Sequence, residues 1–262
     1  MDLGIRGRKA LLAGASAGMG KQAALALSRE GAKIFITARG ESRLADAARE
    51  IIDATGADVR PVVADHSTAQ GRRCLLEACS DPDILIVNCT PPRSVDGYQD
   101  VSEDELKAAL LTTFVGPIEL MRMFVPGMAE RGFGRVINIS TGSAKYPMEI
   151  RLLSGPARAA LCNYTAAVAR RVASRNVAIN CVLPGAVHTE GSRAIFEARA
   201  AAEGTTFETV VQKFIEEIDV PAGRFGDAAD IGALCAMLSS QYASYIIGQS
   251  IVIDGGVGRS VF

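Results

Sequence analysis

The chain has no tryptophan and only two histidines, and aromatic residues make up 5% of its 262 positions. Two histidines cannot build a histidine-rich metal centre. The six cysteines, at 74, 79, 89, 162, 181 and 235, contain no Cys-x-x-Cys pair. A zinc site is therefore excluded on spacing, and reduced, mostly buried thiols in a reducing compartment are expected. No eighteen apolar residues run together, so no membrane span is expected. Basic and acidic residues number 28 and 29, for a net charge of −1, with no basic run. That balance leaves no footprint for nucleic acid or an anionic membrane. Arg8-Lys9 followed by Ala10 to Gly20 imitates a signal peptide, but glycines and Ser16 interrupt the apolar stretch. A soluble, cytoplasmic protein is the expectation.

What is present is ordinary globular usage, 48% hydrophobic and 22% charged, so disorder is excluded. Short runs that are apolar on both faces read as buried parallel strands: Lys9–Ala13, Lys33–Thr37, Val59–Val63, Ile84–Asn88, Arg135–Ile139, Val177–Val182 and Ser250–Ile253. Between them, helical patterns cover Gly18–Glu30, Glu41–Ala54, Thr68–Cys79, Glu103–Glu130, Ser154–Ser174 and Ala228–Leu238. The alternation predicts an α/β fold, a doubly wound, seven-stranded parallel sheet with helices on both faces. No linker divides the chain, so residues 1–262 form one domain. The rhythm breaks from Thr189 to Asp219, where two helical patterns follow one another. Phe207, Val210, Val211, Phe214, Ile215 and Ile218 mark an amphipathic helix there. This segment, 189–219, packs as core or serves as a lid hinged near Gly191 and Gly204.

The first strand runs into Ala13-Gly14-Ala15-Ser16-Ala17-Gly18-Met19-Gly20. Gly14-x-Ser16-x-Gly18 fits a hydrolase nucleophile elbow, but such an elbow follows several strands and needs a later histidine. His188 stands at suitable range, and it lies in a turn. The better reading is a phosphate turn, in which glycines let the backbone approach a pyrophosphate and the next helix supplies N–H donors. The second strand ends Thr37-Ala38-Arg39. An acid there would hold a ribose 2′-hydroxyl, whereas Arg39 can pair with a 2′-phosphate, so NADP(H) is favoured over NAD(H).

With that turn in place, the whole chain resembles the short-chain dehydrogenase/reductase family, in particular its 3-oxoacyl-carrier-protein-reductase-like members. Ala64-Asp65, followed by His66, stands at the adenine-contacting position. Val87-Asn88-Cys89-Thr90 replaces Asn-Asn-Ala-Gly, keeping only Asn88. Asn180 through Pro184-Gly185-Ala186-Val187-His188-Thr189 matches the nicotinamide-side motif, and Gly248 to Gly256 matches the closing strand. The resemblance implies cofactor contacts from Gly14, Ser16, Gly18, Met19, Gly20, Arg39, Asp65, His66, Asn88, Pro184, Gly185, Val187 and Thr189. It also implies a small-molecule substrate and a homotetramer or homodimer.

The family's catalytic positions are replaced. Thr141, beside Ser140, stands for the serine, and Ser154 and Arg158 stand for the Tyr-x-x-x-Lys pair. The helix asparagine falls near Thr113. Thr141 keeps a hydroxyl that can polarise a carbonyl. Ser154 is too weak an acid to trade a proton as tyrosine does, and Arg158 stays charged, fit to anchor ribose hydroxyls or an anion. Lys145, Tyr146 and His188 are substitute proton donors, and Tyr164 is a poorer one. Arg93, Arg151 and Arg193 are surface charges or contacts for an anionic substrate. The leading reading is an NADP(H)-dependent oxidoreductase interconverting a carbonyl and an alcohol. The alternatives are a non-redox enzyme (lyase, isomerase or dehalogenase-like) and a nucleotide sensor without catalysis. Halohydrin dehalogenases resemble the same family and carry Arg in place of Lys, but they keep the tyrosine and lose the glycine turn.

Overall fold

The computed structural model describes residues 1–259; the last three positions of the expected domain lie outside the described residues. The strands are β1 (Lys9–Ala13), β2 (Lys33–Ala38), β3 (Val59–Val63), β4 (Ile84–Val87), β5 (Gly134–Ile139), β6 (Val177–Pro184), β7 (Val187–His188), β8 (Gly226–Asp227) and β9 (Ser250–Ile253). The helices are α1 (Gly18–Arg29), α2 (Glu41–Thr55), α3 (Ala69–Ala78), α4 (Glu103–Leu110), α5 (Gly116–Arg131), α6 (Gly155–Val172), α7 (Glu190–Glu203), α8 (Phe207–Glu217) and α9 (Ala228–Ser239). Seven strands form one parallel sheet in the order β3-β2-β1-β4-β5-β6-β9. The order reverses between β1 and β4, so the crevice at their carboxyl ends is where such a sheet receives a ligand.

The unbroken apolar character of the strands has a direct cause. Consecutive residues point to opposite faces, and both faces of β1, β2, β4, β5 and β6 are covered, whereas edge strand β3 departs from the expected buried pattern, with Arg60, Pro61 and Val63 exposed. Leu11, Leu85 and Val136 join one buried layer with Leu120, Phe124 and Leu161, while Leu12, Ile34 and Ile36 join the other with Ala23, Leu27 and Ile231. Each such large side chain contributes roughly 1.5–3 kcal/mol by leaving water. On the second face α1 and α9 touch backbone to backbone, since a Cβ at Gly232 would stand 2.6 Å from the Gln22 carbonyl oxygen.

Three features depart from the expected pattern. The long helical stretch Glu103–Glu130 is interrupted by a π turn at Leu111–Val115, and Gly116 N–H bonds Leu111 O across it. By length and composition alone the stretch Glu103–Arg131 would pass for a membrane span, yet α5 buries Leu120, Met121, Phe124, Val125 and Met128 in the core. Second, β6 runs on to Pro184. Third, β7 and β8 form a two-stranded parallel pair. The 189–219 segment is two helices, α7 capped by Thr189 and Ser192 and ended by left-handed Gly204, then α8. They carry a small apolar cluster of their own, Val211, Ile215, Val220 and Phe225 with Phe196, Phe207 and Phe214 against it.

Arg135 is the largest fully buried side chain, 1% exposed. It donates to the carbonyls of Ser240 (2.9 Å), Gly134 (2.8 Å) and Asn176 (2.9 Å) and stacks on Phe133. Replacing it by methionine strips donors from buried carbonyls, each worth about 1–3 kcal/mol. Arg135→Met is therefore expected to lower stability by about 2–4 kcal/mol, read as a shifted denaturant midpoint with an unchanged slope.

Candidate active site

The cleft starts from a backbone approach that only glycine permits. Gly14 adopts φ +68, and a Cβ on it would lie 2.1 Å from the Asn88 carbonyl oxygen; one on Gly20 would lie 2.3 Å from Gly14 O. Asn88 Nδ2 donates to Gly14 O at 2.9 Å, and its N–H reaches Ala13 O, so β4 holds the turn in place. The turn delivers the chain to the start of α1. There the residue before the helix, Ala17, is extended and offers no side-chain cap, and no acid lies in the first turn. The N–H donors and positive end of α1 thus face the cleft uncommitted, which fits a pyrophosphate.

The cleft has a volume of about 370 Å³. Gly14, Ser16, Gly18 and Met19 line one side, and Arg39, Gly40 and Arg43, after β2, line another. No carboxylate occupies the end of β2. Asp65 follows β3; burial opposes its charge, but hydrogen bonds from the Ser67 hydroxyl and N–H hold it below the usual carboxylate range. His66, Asn88, Cys89, Thr90, Thr112 and Thr189 complete the walls.

Across the mouth lies a contact that sequence reading missed. Glu190, first residue of α7, reaches Arg43 on α2 at 3.0 Å and Lys21 on α1 at 3.5 Å. One carboxylate thereby ties the start of the two-helix segment to both helices flanking the turn. Exposed pairs of this kind contribute little to stability. Its interest is positional, because Arg43 also lines the cleft.

The four replaced positions behave differently from one another. Thr141, half-buried after β5, has its Oγ1 within 3.3 Å of the Ser143 hydroxyl and 3.5 Å of Ser143 N, both donating to it. Its own proton is left to donate outward. Thr113 turns inward and donates to Ala109 O at 2.7 Å, so it offers the cleft nothing. Ser154 is 3% exposed and precedes α6 without capping it.

Arg158 corrects the expectation that it would hold ribose hydroxyls or an anion. It is 4% exposed, with Nη1 donating to Ile139 O at 2.8 Å and Nη2 to Cys89 O at 3.1 Å. The reason is its place one turn into α6, under the ends of β4 and β5, where carbonyls rather than solvent meet the guanidinium.

The substitute donors also scatter. Lys145 is exposed and sits 5.7 Å over the Tyr146 ring, and that ring packs on Gly258. His188 stacks on Phe225 at 4.8 Å and faces Phe207, inside the α7–α8 aromatic cluster rather than toward the cleft. Tyr164 stands edge-on to Phe114. Of the remaining predicted contacts, Gly20 lies buried beneath the turn and Val187 belongs to the core. Gly185 is pressed against Asp254, and Pro184 O lies 3.4 Å from where a Gly142 Cβ would be, so the Pro184-Gly185 turn adjoins the Thr141 loop.

Known proteins share this frame. Residues 14–258 match the family model described as enoyl-(acyl carrier protein) reductase. The chain belongs to the short-chain dehydrogenase/reductase family. It is 30% identical to the 3-oxoacyl-[acyl-carrier-protein] reductase of Vibrio cholerae, over 97% of this chain and 99% of that protein. It is 28% identical to the NADPH-dependent reductase BacG of Bacillus subtilis, over 97% of this chain and 99% of the relative. L-sorbose reductase of Gluconobacter frateurii, solved with NADPH and L-sorbose, superposes with a TM-score of 0.95 at 27% identity, covering both chains entirely. The chain is an enzyme of the oxidoreductase kind that this family represents.

As a member of that family it keeps the turn and the switch-point crevice intact. Because Asn88 is the strut between β4 and the turn, Asn88→Ala is expected to cost about 1–3 kcal/mol by orphaning Gly14 O. Chemical denaturation measures the loss, and hydrogen exchange at residues 14–20 should quicken in step.

Proposed function

We propose that this enzyme uses NADP(H) to interconvert a carbonyl and an alcohol on a small substrate, with the proton handled by a group other than the family's tyrosine. The observation that carries the reading is the pairing of an uncapped α1 N-terminus behind a glycine-only turn with two arginines, Arg39 and Arg43, and no acid, at the end of β2. When bound, the nicotinamide supplies or accepts the hydride. The remaining work falls to the chain. Gly14, Ser16, Gly18, Met19 and Gly20 form the pyrophosphate turn, and Arg39 and Arg43 meet the 2′-phosphate. Asp65, His66 and Asn88 border the adenosine half. Pro184, Gly185, Val187 and Thr189 shape the nicotinamide end.

Thr141 Oγ1, already accepting from Ser143, donates its proton to the substrate oxygen and polarises the carbonyl. Water carries the proton onward, since no hydrogen bond joins buried Ser154 to Thr141 among the described residues. Lys145 and Tyr146 stand outside this relay. NADPH-bound and NADPH-dependent relatives favour the same cofactor. Six free cysteines agree with a reducing, cytoplasmic setting.

A second reading, nucleotide binding without redox turnover, draws on the inward turn of Arg158 and Thr113. One experiment separates the two. The nicotinamide's own emission, unobscured in a chain without tryptophan, reports NADPH and NADH binding, and a carbonyl screen reports turnover. NADPH should bind more tightly than NADH. Arg39→Ala and Arg43→Ala should each weaken NADPH by about 1.5–3 kcal/mol, roughly ten- to hundredfold, and leave NADH unmoved. Thr141→Ala should cut turnover by about a hundredfold with NADPH binding retained. Tight NADPH binding with no carbonyl or alcohol turned over would establish the second reading instead.

A further inference from the structure

Cys89, His66 and Thr112 meet at the cleft wall in a contact that neither the turn nor the Thr141 relay uses. Cys89 Sγ lies 3.4 Å from His66 Nε2, and each lies 3.2 Å from the Thr112 carbonyl oxygen. The helix makes room for this. In an α-helix Gly116 N–H would bond Thr112 O; here the π turn sends it to Leu111 O. The next residue along, Pro117, has no N–H to give. Thr112 O is thus released from its helix and accepts from His66 Nε2–H, with Cys89 Sγ also 3.2 Å away. Gly116 supplies the seat, since a Cβ there would stand 2.7 Å from His66 Cδ2.

The other unusual group is Arg158. Its Nη2 bonds Cys89's own carbonyl, its Nε has no partner, and no carboxylate pairs with it among the described residues. A buried cation without an anion is costly. We propose that Cys89 rests as a thiolate against protonated His66, beside Arg158, and is a nucleophilic modification site for small electrophiles. We further infer that modification there and dinucleotide occupancy exclude each other, a clause that rests on the cofactor reading above.

The surroundings act on this protonation state in both directions: the Thr112 carbonyl, 3.2 Å from Sγ, favours the thiol, while imidazolium and guanidinium favour the thiolate. Burial is the strongest single influence and opposes charge on both partners, but their mutual hydrogen bond and attraction, joined by the Thr112 carbonyl for His66 and by Arg158 for Cys89, together outweigh it, holding the thiol below its ordinary range and the imidazole above. Facing the pair are Asp65 on the turn after β3, which favours the imidazolium and opposes the thiolate, and Arg158 on α6. Arg72 on α3 donates to His66 O at 2.9 Å. The helix at Thr112 presents only its carbonyl. With a hydroperoxide, the sulfur lone pair attacks an oxygen, the O–O bond breaks, and His66 gives its proton to the leaving oxygen. Sulfur is oxidised to sulfenic acid and the peroxide is reduced to water or an alcohol. With iodoacetamide an S–C bond forms and iodide leaves.

Cleavage before aspartate releases the peptide Asp83–Val95, which carries Cys89 and no other cysteine. The test is iodoacetamide labelling of the folded enzyme from pH 5 to 9, read on that peptide by mass spectrometry, with and without NADP⁺. Cys235, buried and pushed up to about 12, is the internal unreactive control. The rate at Cys89 should level off below the ordinary thiol range of roughly 8.5. His66→Gln should slow labelling at pH 6.5 about tenfold or more, and NADP⁺ should protect. Cys89 labelling no faster than Cys235, or a profile rising only near pH 8.5 in an enzyme that still binds NADPH, overturns the thiolate alone. Labelling at low pH that NADP⁺ does not slow overturns the exclusion alone when nicotinamide emission shows NADPH bound, and absence of that binding overturns the cofactor reading instead.

Discussion

One close approach governs this molecule: the backbone of β4 passes so near the turn after β1 that a single Cβ at Gly14 would collide with the Asn88 carbonyl. The contact sets the distance between the two strands at the switch point. It also fixes the direction in which α1 leaves the sheet, so that the helix points its unpaired N–H groups into the crevice. The residue after Asn88 inherits a position in the cleft wall, and that residue is Cys89. The glycine turn and the Cys89 pocket are therefore two consequences of the same strand end.

Much of the fold was readable in advance because its physics is local. A strand buried on both faces is apolar almost throughout: β4 is so at every position, β1 departs at Lys9 at its start, and β6 at Asn180, whose side chain is hydrogen-bonded to Ile246 O. The glycine turn was readable because Gly14, Gly18 and Gly20 stand between a strand and a helix. Arg39 was readable as the residue that follows β2. What escaped depends on partners far apart in the chain. Glu190 meets Lys21 and Arg43 only after folding. Arg158 shares a helical face with Ser154, but its direction is set by carbonyls on β5 and after β4, which no spacing within α6 reveals.

The Cys89–His66 pair left a faint trace. Cys89 occupies the Ala of a recognisable tetrapeptide, and His66 is one of two histidines in the chain. Neither substitution is remarkable alone, and their meaning lies in a 3.4 Å distance. His188 is the converse case. Its place beside a Pro-Gly turn invited a catalytic role, and the aromatic residues of α7, α8 and β8's approach absorbed it into packing. A histidine's chemistry is decided by what surrounds it, and the two histidines here divide along that line.

The π turn at Leu111–Val115 also acts as a phase shifter. Each residue of an α-helix advances the azimuth by about 100°, so one extra residue in a turn rotates everything before it relative to everything after. α5 presents Leu120, Phe124 and Met128 inward, while α4 leaves Leu106 and Leu110 partly in solvent. Deleting one residue between 111 and 115 would restore a regular helix and swing α4's surface by roughly a quarter turn. The outer face of the protein and the carbonyl that greets His66 are thus geared to a single inserted residue.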